Sequence, residues 1–240
     1  MTREALLVGE HPRPKIAVVV FPGSNDDHDA AWALHALGAE PVLVWHGDAE
    51  LPAEVAGIVL PGGFSYGDYL RCGAIARFSP AMDSVRALAA EGGPVLGICN
   101  GFQILCEARL LPGVLRPNRS LEFVCADTAV RVERKETPVT SRCSEGQRLV
   151  IPVKHGEGAW YASDELYGEL CDLDQIVFRY EEDVNGALHR VAGVCNREGN
   201  VVGLMPHPEH AVDPLLGPAD GAFVLASLVD AARERMLALV

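Results

Sequence analysis

The stretch PVLGICNGFQIL, residues 94–105, decides the fold because it joins a buried strand to a helix at a single cysteine. Residues 94–98 form a continuous apolar run, which is typical of a strand buried on both faces of a parallel sheet. The predicted helix begins beside Cys99. A nucleophile at such a strand-to-helix turn is exposed at the carboxyl edge of the sheet, where ligands bind in α/β folds. The stretch therefore predicts an α/β protein with a nucleophile elbow.

Strands and helices alternate on the N-terminal side of this elbow. Apolar runs predict three more strands there, at residues 15–21, 41–45 and 57–60. Helical patterns predict two helices, at residues 26–37 and 79–91. Ser79 is the predicted cap of the second helix, with Pro80 at its first position. The alternation predicts right-handed crossovers and a mostly parallel central sheet with flanking helices.

The second half of the chain has a different pattern. Five segments are predicted to be strands with few helices between them, at residues 121–133, 148–153, 175–180, 190–195 and 200–205. The turn at residues 197–200 is typical of a hairpin, so this half predicts an antiparallel extension of the sheet. A last helix is predicted at about 219–237. We expect one domain over residues 15–240, preceded by an N-terminal extension at residues 1–14.

The net charge and the cysteine content indicate which partners and which compartment to expect. The 240 residues carry 20 Lys and Arg against 33 Asp and Glu, so the formal net charge is −13. Nucleic acid and anionic membrane surfaces would repel such a chain, so we expect neither as a partner. The seven cysteines are scattered, without the paired spacing of a zinc site. This usage favours a reducing compartment, and we expect a cytoplasmic protein.

Cys99 is the candidate nucleophile. The flanking residues Gly97 and Gly101 suit a strained turn and leave the approach of a substrate open. The helix that follows directs its free N–H groups and its positive end toward the thiol, which favours a thiolate. The alternative is a buried structural cysteine, the commoner fate of cysteines in cores. We apply that alternative to the other six cysteines.

A cysteine nucleophile needs a histidine, and the histidine needs an orienting carboxylate. Two pairs have a suitable spacing, His155 with Glu157 and His207 with Glu209. Prolines on both sides of His207 hold the backbone extended, so Glu209 is expected on the same side of the chain. We favour the second pair by a modest margin and expect the first to lie in a loop near the ligand. No metal site is expected, because the prolines disrupt helical presentation of the ligands.

The double glycine Gly62-Gly63 follows the third strand at the same edge of the sheet. Its backbone N–H groups can approach a ligand closely and contribute to an oxyanion hole. The segment lacks the Gly-Lys-Ser/Thr ending of a phosphate loop. The alternative is an ordinary tight turn.

These residues resemble the class I (triad) glutamine amidotransferases, through the elbow at 97–101 and the His-x-Glu at 207–209. The wider match resembles the small glutaminase subunits of phosphoribosylformylglycinamidine synthase, a purine-biosynthesis enzyme. The matching segments are PGGFSYGDYLRCGAIA (61–76), GICNGFQIL (97–105), PNRS (117–120), HGEG (155–158) and MPHPE (205–209). The resemblance runs from about residue 15 to the end and implies a flavodoxin-like three-layer sandwich.

The resemblance also implies roles for residues of the site. Cys99 would attack the side-chain amide of L-glutamine, with His207 and Glu209 completing the catalytic triad. Backbone N–H groups of Gly63 and Asn100 would hold the oxyanion. The glutamine pocket would be lined by Gly62, Gln103, His155, Gly156 and Glu157.

The same resemblance implies partners. Ammonia would pass to a separate synthetase subunit that uses ATP and magnesium, and a small third subunit would bridge the two. No cofactor is expected in this chain itself. His210 replaces the arginine that the family usually has at this position, and residues 183–189 keep only Asn-Gly of a longer family motif. Two alternatives stay open: a stand-alone cysteine hydrolase or stress protein of related fold, and a catalytically silent regulatory subunit.

Overall fold

A nine-stranded mixed sheet runs through residues 12–239, which are the residues described by the computed structural model. Its strands, in chain order without the two short strands named below, are β1 (Lys15–Val20), β2 (Glu40–Trp45), β3 (Val55–Leu60), β4 (Val95–Ile98), β6 (Val124–Val132), β7 (Arg148–His155), β9 (Ile176–Tyr180), β10 (Val191–Cys195) and β11 (Val201–Leu204). Two short strands, β5 (Val114–Arg116) and β8 (Ala159–Tyr161), form a separate antiparallel pair.

Five α-helices accompany these strands within the described residues. They are α1 (Asp27–Ala36), α2 (Ala81–Ala90), α3 (Asn100–Glu107), α4 (Asp164–Asp172) and α5 (Gly221–Ala238). Helices α1 and α5 contact each other and β1, while α3 contacts β3, β4 and β11. The predicted α/β class with flanking helices is therefore confirmed. No helix within residues 12–239 is long and apolar enough to span a membrane.

The sheet has a parallel half and an antiparallel half. The strand order is β2-β1-β3-β4-β11-β10-β9-β6-β7, and the first five strands are parallel to one another. The remaining pairs are antiparallel. The central strands β3, β4 and β11 are buried almost throughout, as expected for strands covered on both faces.

The topology brings several strand ends to one edge. Since β1, β3, β4 and β11 are parallel, the residues after Val20, Leu60, Ile98 and Leu204 meet at the carboxyl edge of the sheet. Four antiparallel pairs lead from β11 through β10, β9 and β6 to β7, so β7 runs in the same direction as β11. Its last residue, His155, therefore also lies at this edge. A hydrogen bond of 2.8 Å from the His207 N–H to the Pro152 carbonyl fixes β7 against the segment after β11.

Three predictions about local structure need correction or lie outside the described residues. Ser79 does not cap α2: its hydroxyl lies 3.0 Å from the Tyr66 hydroxyl, and Pro80 occupies the cap position. Helix α4 was not predicted, although Ser163 caps it by accepting the Leu166 N–H at 3.2 Å. The predicted extension at residues 1–14 falls mostly on residues 1–11, outside the described part of the chain.

Candidate active site

Cys99 occupies the turn between β4 and α3. Its backbone has φ 49° and ψ −102°, a conformation that L-residues rarely adopt. Such strain costs about 1–3 kcal/mol and persists only where the surrounding structure enforces it. The side chain is 5% exposed, and its Sγ lies 3.8 Å from the Lys154 carbonyl oxygen. The predicted nucleophile elbow is present in the structure.

The glycines beside Cys99 serve packing inside the protein. A Cβ on Gly101 would collide with the backbone carbonyl of Leu60, and a Cβ on Gly97 would come within 2.7 Å of the Gly101 carbonyl oxygen. Either side chain would push α3 away from β3 and β4. These contacts give a reason for glycine that was not predicted, because both residues allow the helix to lie close to the sheet. That they also leave the approach of a substrate open stays a prediction.

His207 and Glu209 form the predicted pair. Nδ1 of His207 lies 2.6 Å from Oε1 of Glu209, and the two residues are 1% and 3% exposed. The predicted extended backbone is wrong, because Pro208–His210 form one turn of 3-10 helix. Pro208 stands at the first position of this turn, where a residue without an N–H is favoured. The turn, rather than an extended strand, brings the carboxylate back to the imidazole.

The charges around His207 favour its protonated form. Burial alone would lower the pKa of this histidine, but the negative charges of Glu209 and Cys99 outweigh burial and raise it to about 10. Because Glu209 occupies Nδ1, the proton that can move is on Nε2. Within the described residues Nε2 is buried without a hydrogen-bond partner. The imidazole therefore offers this atom to the reacting centre beside Cys99.

The backbone N–H groups of Gly63 and Asn100 are the two predicted oxyanion donors. Gly63 has φ 140°, and a Cβ there would come within 2.6 Å of the Asn25 backbone nitrogen, so only glycine suits the position. Within residues 12–239 its N–H donates to no backbone carbonyl. Asn100 is the first residue of α3, where the N–H has no partner inside the helix. Gly63 lines the cavity beside Cys99, whereas Asn100 is not among its lining residues.

A cavity of about 210 Å³ opens beside Cys99. This volume equals the liquid volume of roughly seven water molecules, which suits a small ligand. Its walls include Cys99, His207, Gly63 and four of the five predicted pocket residues, namely Gln103, His155, Gly156 and Glu157. The other lining residues are Asn25, Asp26, Phe64, Asp68, Cys72, Phe123 and Lys154. Gly62 does not line the cavity. It lies behind the site, where a Cβ would come within 2.7 Å of His207 Cε1.

The segment His155-Gly156-Glu157 is held in place by two buried asparagines. Asn118 Oδ1 lies 3.1 Å from His155 Nδ1, and Asn185 Nδ2 lies 3.5 Å from His155 Nε2. Burial, aided by the charge of His207, lowers the pKa of His155 to about 4. The neutral ring is therefore occupied by protein partners, and it shapes the loop rather than presenting a free nitrogen to a ligand.

Gln103 connects the elbow helix to the same loop. Its Nε2 donates to the Glu157 carbonyl oxygen at 2.6 Å, and its Oε1 accepts from Asn100 Nδ2 at 2.8 Å. Asn100 also accepts the Ser65 N–H on its side-chain oxygen at 3.1 Å. The two predicted pocket elements, helix and loop, are thus joined by direct hydrogen bonds.

Several residues of the site were given no role in the sequence analysis. Asp26, Lys154 and Cys72 line the cavity, and buried Asn118 anchors the loop. The segment PNRS around Asn118 was a signal in the sequence. Asp26 and Lys154 contact each other but are 128 residues apart in the chain, so no local pattern connects them. Burial and the Asp68 and Glu157 carboxylates raise the pKa of the Cys72 thiol, so this second cysteine stays protonated.

Four side chains in this region bring potential metal-ligating atoms within 4.8 Å of one another: Asp26, His207, Glu209 and His210. These atoms are already engaged with protein groups, as in the 2.6 Å contact of His207 with Glu209. Asp26 Oδ1 lies 2.5 Å from the Lys154 ammonium, which already supplies positive charge. We assign no metal here, and the expectation that the chain binds none stays a prediction.

A larger cleft of about 1040 Å³ lies at the opposite edge of the sheet, between the ends of α2 and α3 and the β10–β11 turn. Its cysteine, Cys106, is buried next to Glu107, and both burial and that carboxylate raise the pKa of its thiol. The cleft has no histidine beside this thiol among its lining residues. The smaller cavity, by contrast, is lined by both Cys99 and His207.

Comparisons with known proteins define the class of this site. Residues 13–220 match the CobB/CobQ-like glutamine amidotransferase domain. The chain is 54% identical over 219 residues to phosphoribosylformylglycinamidine synthase subunit PurQ of Rubrobacter xylanophilus, covering 91% of this chain and 99% of the relative. Identity to the same subunit of Mycobacterium tuberculosis is 54% over 218 residues, 90% of this chain and 97% of the relative. The chain is a glutamine amidotransferase.

The structural comparison agrees with this class. A chain in the structure of PurLQS from Thermotoga maritima superimposes with a TM-score of 0.84 at 44% identity, covering 91% of this chain and 99% of that one. The chain belongs to the PurQ family of phosphoribosylformylglycinamidine synthase subunits.

Proposed function

We propose that this chain hydrolyses L-glutamine at Cys99 and delivers the ammonia to a synthetase subunit that makes formylglycinamidine ribonucleotide. The observation that carries the proposal is the constellation of elbow thiol, His207 and Glu209 around one small cavity. The family to which the chain belongs supports the choice of reaction. Purine biosynthesis is the pathway in which this product would be used.

The proposed reaction begins with attack of the Cys99 thiolate on the side-chain carbonyl carbon of glutamine. The new carbon–sulfur bond places negative charge on the carbonyl oxygen, and the N–H groups of Gly63 and Asn100 stabilise it. His207 gives its Nε2 proton to the departing nitrogen, so that ammonia leaves and a glutamyl thioester remains. Glu209 stabilises the imidazolium before this transfer, as their 2.6 Å contact allows.

Hydrolysis of the thioester reverses these roles. The neutral imidazole removes a proton from water at Nε2, and the hydroxide attacks the thioester carbon. The carbon–sulfur bond breaks, glutamate is released, and the Cys99 thiolate faces an imidazolium again. Because both proton transfers use the same nitrogen, the absence of a protein partner for Nε2 within residues 12–239 supports this assignment.

The pocket residues have two kinds of role in this proposal. Gly156 and Glu157 offer backbone and carboxylate groups to the ligand's α-amino and α-carboxyl end, while Gln103 and His155 hold that loop in position. Gly62 leaves room for His207 behind the oxyanion donors. The pocket therefore recognises glutamine mainly through a loop that other side chains fix.

Partners and cofactors complete the proposal. The match to one component of PurLQS supports assembly with a large synthetase subunit and a small bridging subunit. ATP and magnesium would be bound by the synthetase, and no cofactor is assigned to this chain. The cytoplasmic location expected from the sequence is part of the same proposal.

The test uses the complex assembled from the chain, the synthetase and the small subunit. Product formation is measured with glutamine and, separately, with ammonium chloride. For Cys99→Ala we expect glutamine-dependent synthesis to fall by about 10³-fold or more, because the covalent step is lost. Ammonia-dependent synthesis should stay within about twofold of wild type, since it bypasses this site.

The matched control is Cys171→Ala, which removes an exposed cysteine on α4. It should leave both activities unchanged. Equal loss of both activities in Cys99→Ala would show that the cysteine is structural. Glutamine hydrolysis that never supports synthesis would favour the stand-alone hydrolase, and full glutamine-dependent synthesis in Cys99→Ala would favour the silent subunit.

A further inference from the structure

Asp26 is a buried carboxylate outside the catalytic triad. It stands between β1 and α1, at the cap position of the helix, and is 3% exposed. Aspartate is among the preferred residues at such a position because its side chain can accept a helical N–H. Asp26 makes no such hydrogen bond. Its carboxylate is directed away from the helix that it begins, toward the active site.

The carboxylate of Asp26 lies beside His207. Oδ2 is 3.6 Å from His207 Nδ1, the same nitrogen that is 2.6 Å from Glu209 Oε1. Two carboxylates therefore flank one edge of the imidazole. A Cβ on Gly62 would collide with both the Asp26 carboxylate and the imidazole ring. The glycine thus makes the close approach of Asp26 to His207 possible.

Lys154 and His210 contact the Asp26 carboxylate, and the Lys154 ammonium offsets its repulsion with Glu209. Lys154 Nζ lies 2.5 Å from Asp26 Oδ1, and His210 Nε2 lies 3.3 Å from the same oxygen. Burial alone would raise the pKa of Asp26, but His210, His207 and Lys154 lower it well below its usual range. An ionised carboxylate this deeply buried needs such partners, since desolvation of a charge is costly.

We propose that Asp26 is a positioning residue for His207, a second carboxylate that holds the imidazole toward Cys99 and stabilises its protonated form. The Lys154 ammonium partly offsets the negative charge that Asp26 presents to His207. The inference rests on the proposed function, in which the imidazolium of His207 gives a proton to departing ammonia. Asp26 acts through His207 and needs no contact with the reacting amide.

Negatively charged groups face His207 from three parts of the chain. Negative charge comes from Glu209 on its own turn, from the Cys99 thiolate at the elbow and from Asp26 after β1. Their common effect is to hold the proton on the imidazole.

Three further titratable side chains lie near His207. His210 lies on the same turn as His207, with ring centroids 5.5 Å apart, and Lys154 and His155 come from β7. The lowered pKa of His155 keeps it neutral at pH 7. Removing the negative charge of Asp26 should therefore let His207 lose its proton at lower pH, whereas removing the positive charge of Lys154 should have the opposite effect.

The experiment is an NMR titration of the full chain with ¹⁵N-labelled histidine, in which a His207→Gln variant identifies the His207 signal. In Asp26→Asn the titration midpoint of His207 should fall by about one pH unit. In Lys154→Gln it should rise. In Asp26→Asn the alkaline limb of kcat/KM for glutamine hydrolysis by the assembled complex should move with the midpoint, while KM changes by less than about twofold.

The outcomes separate the two proposals. If Asp26→Asn is folded by near-ultraviolet circular dichroism and its His207 midpoint equals that of wild type, Asp26 does not act on His207. Should Asp26→Asn fail to fold, a downward or absent shift in Lys154→Gln overturns the inference. Midpoint shifts in both predicted directions, combined with no glutamine hydrolysis by the wild-type complex, would contradict the proposed function and leave the role of Asp26 intact.

Discussion

The parallel and antiparallel halves of the sheet contribute different things to one site. The parallel half supplies Cys99 after β4 and the turn with His207 and Glu209 after β11. The antiparallel half supplies the end of β7, where Lys154 and His155 lie. The proposed catalytic groups follow strands in the centre of the sheet, whereas the loop proposed to recognise the ligand follows an outer strand.

This difference follows from how each half is fixed. At the elbow, backbone atoms are packed so closely that Gly97 and Gly101 admit no side chain. The loop after β7 is instead held by side-chain hydrogen bonds from Asn118 and Asn185. We therefore expect changes in the parallel half to affect turnover and folding, and changes in the antiparallel half to affect affinity.

After Cys99→Ala, the largest effect on turnover is expected for Glu209→Gln. The substitution keeps the shape of the side chain but removes the charge that stabilises the His207 imidazolium, at a contact of 2.6 Å. We expect kcat for glutamine hydrolysis to fall by about 10²- to 10³-fold with little change in KM. Steady-state kinetics of the assembled complex checks this, with exposed Glu182→Gln as the control. A rise in KM with kcat preserved would place Glu209 in recognition and break the comparison.

The second prediction concerns Gly101→Ala. The new Cβ would collide with the Leu60 carbonyl, which is backbone and has little freedom to move. We expect a loss of at least about 3 kcal/mol in the free energy of unfolding, or a drop of at least about 6 °C in Tm. The control is Gly168→Ala on α4, where a Cβ meets nothing within 4 Å. That change should stabilise the chain slightly, because alanine is the better helix former. Equal stability of Gly101→Ala and wild type would contradict the packing of the elbow.

The third prediction tests the recognition half. Asn118→Ala removes hydrogen bonds to the His155 ring and to the Gly158 N–H, of 3.1 and 3.0 Å. We expect KM for glutamine to rise by about tenfold while kcat stays within about threefold, because the loop loses its fixed position. Exposed Ser120→Ala, two residues away, is the matched control. A fall in kcat without a change in KM would show that the loop takes part in the chemistry.

The smallest expected effect is a pH dependence of stability due to His155. Its pKa of about 4 in the folded chain lies below the ordinary value of 6.5, so the unfolded state binds the proton first as pH falls. The stability that the neutral ring contributes is therefore lost between pH 6.5 and about 4. His207, whose pKa is raised, changes in the opposite sense, so wild type alone does not isolate the effect.

A comparison with His155→Gln isolates it. The stability advantage of wild type over this variant should shrink by about 1 kcal/mol between pH 7 and pH 5.5. Urea unfolding at the two pH values measures the difference. A constant difference would show that His155 is not held neutral by burial.

The sequence allowed much of the parallel half to be predicted, because fully buried strands such as β3 and β4 are continuous apolar runs with glycine or proline at their ends. The elbow cysteine and the His207–Glu209 pair were predicted from spacing, although the pair is formed by a 3-10 turn and not by an extended segment. Local signals sufficed where the residues concerned are neighbours in the chain.

The remaining features depend on contacts over long separations in the chain. The Asp26–Lys154 ion pair joins the β1–α1 loop to β7, and the Asn118–His155 contact joins two loops. These contacts form only when β7 packs against other parts of the chain, and no local sequence pattern predicts that packing. Helix α4 was missed for a different reason: Leu170 is its single fully buried side chain, much of the segment is acidic, and Gly168 is a poor helix former in its interior.

The central claim is that Cys99 is the nucleophile of a glutamine pocket. The most direct measurement is peptide mass mapping of the assembled complex after exposure to an electrophilic glutamine analogue, with and without free glutamine. We predict a label on Cys99 that glutamine prevents, and none on Cys72, the protonated cysteine of the same cavity. A general thiol reagent that modifies Cys99 while the analogue does not, or labelling that glutamine fails to reduce, would contradict the claim.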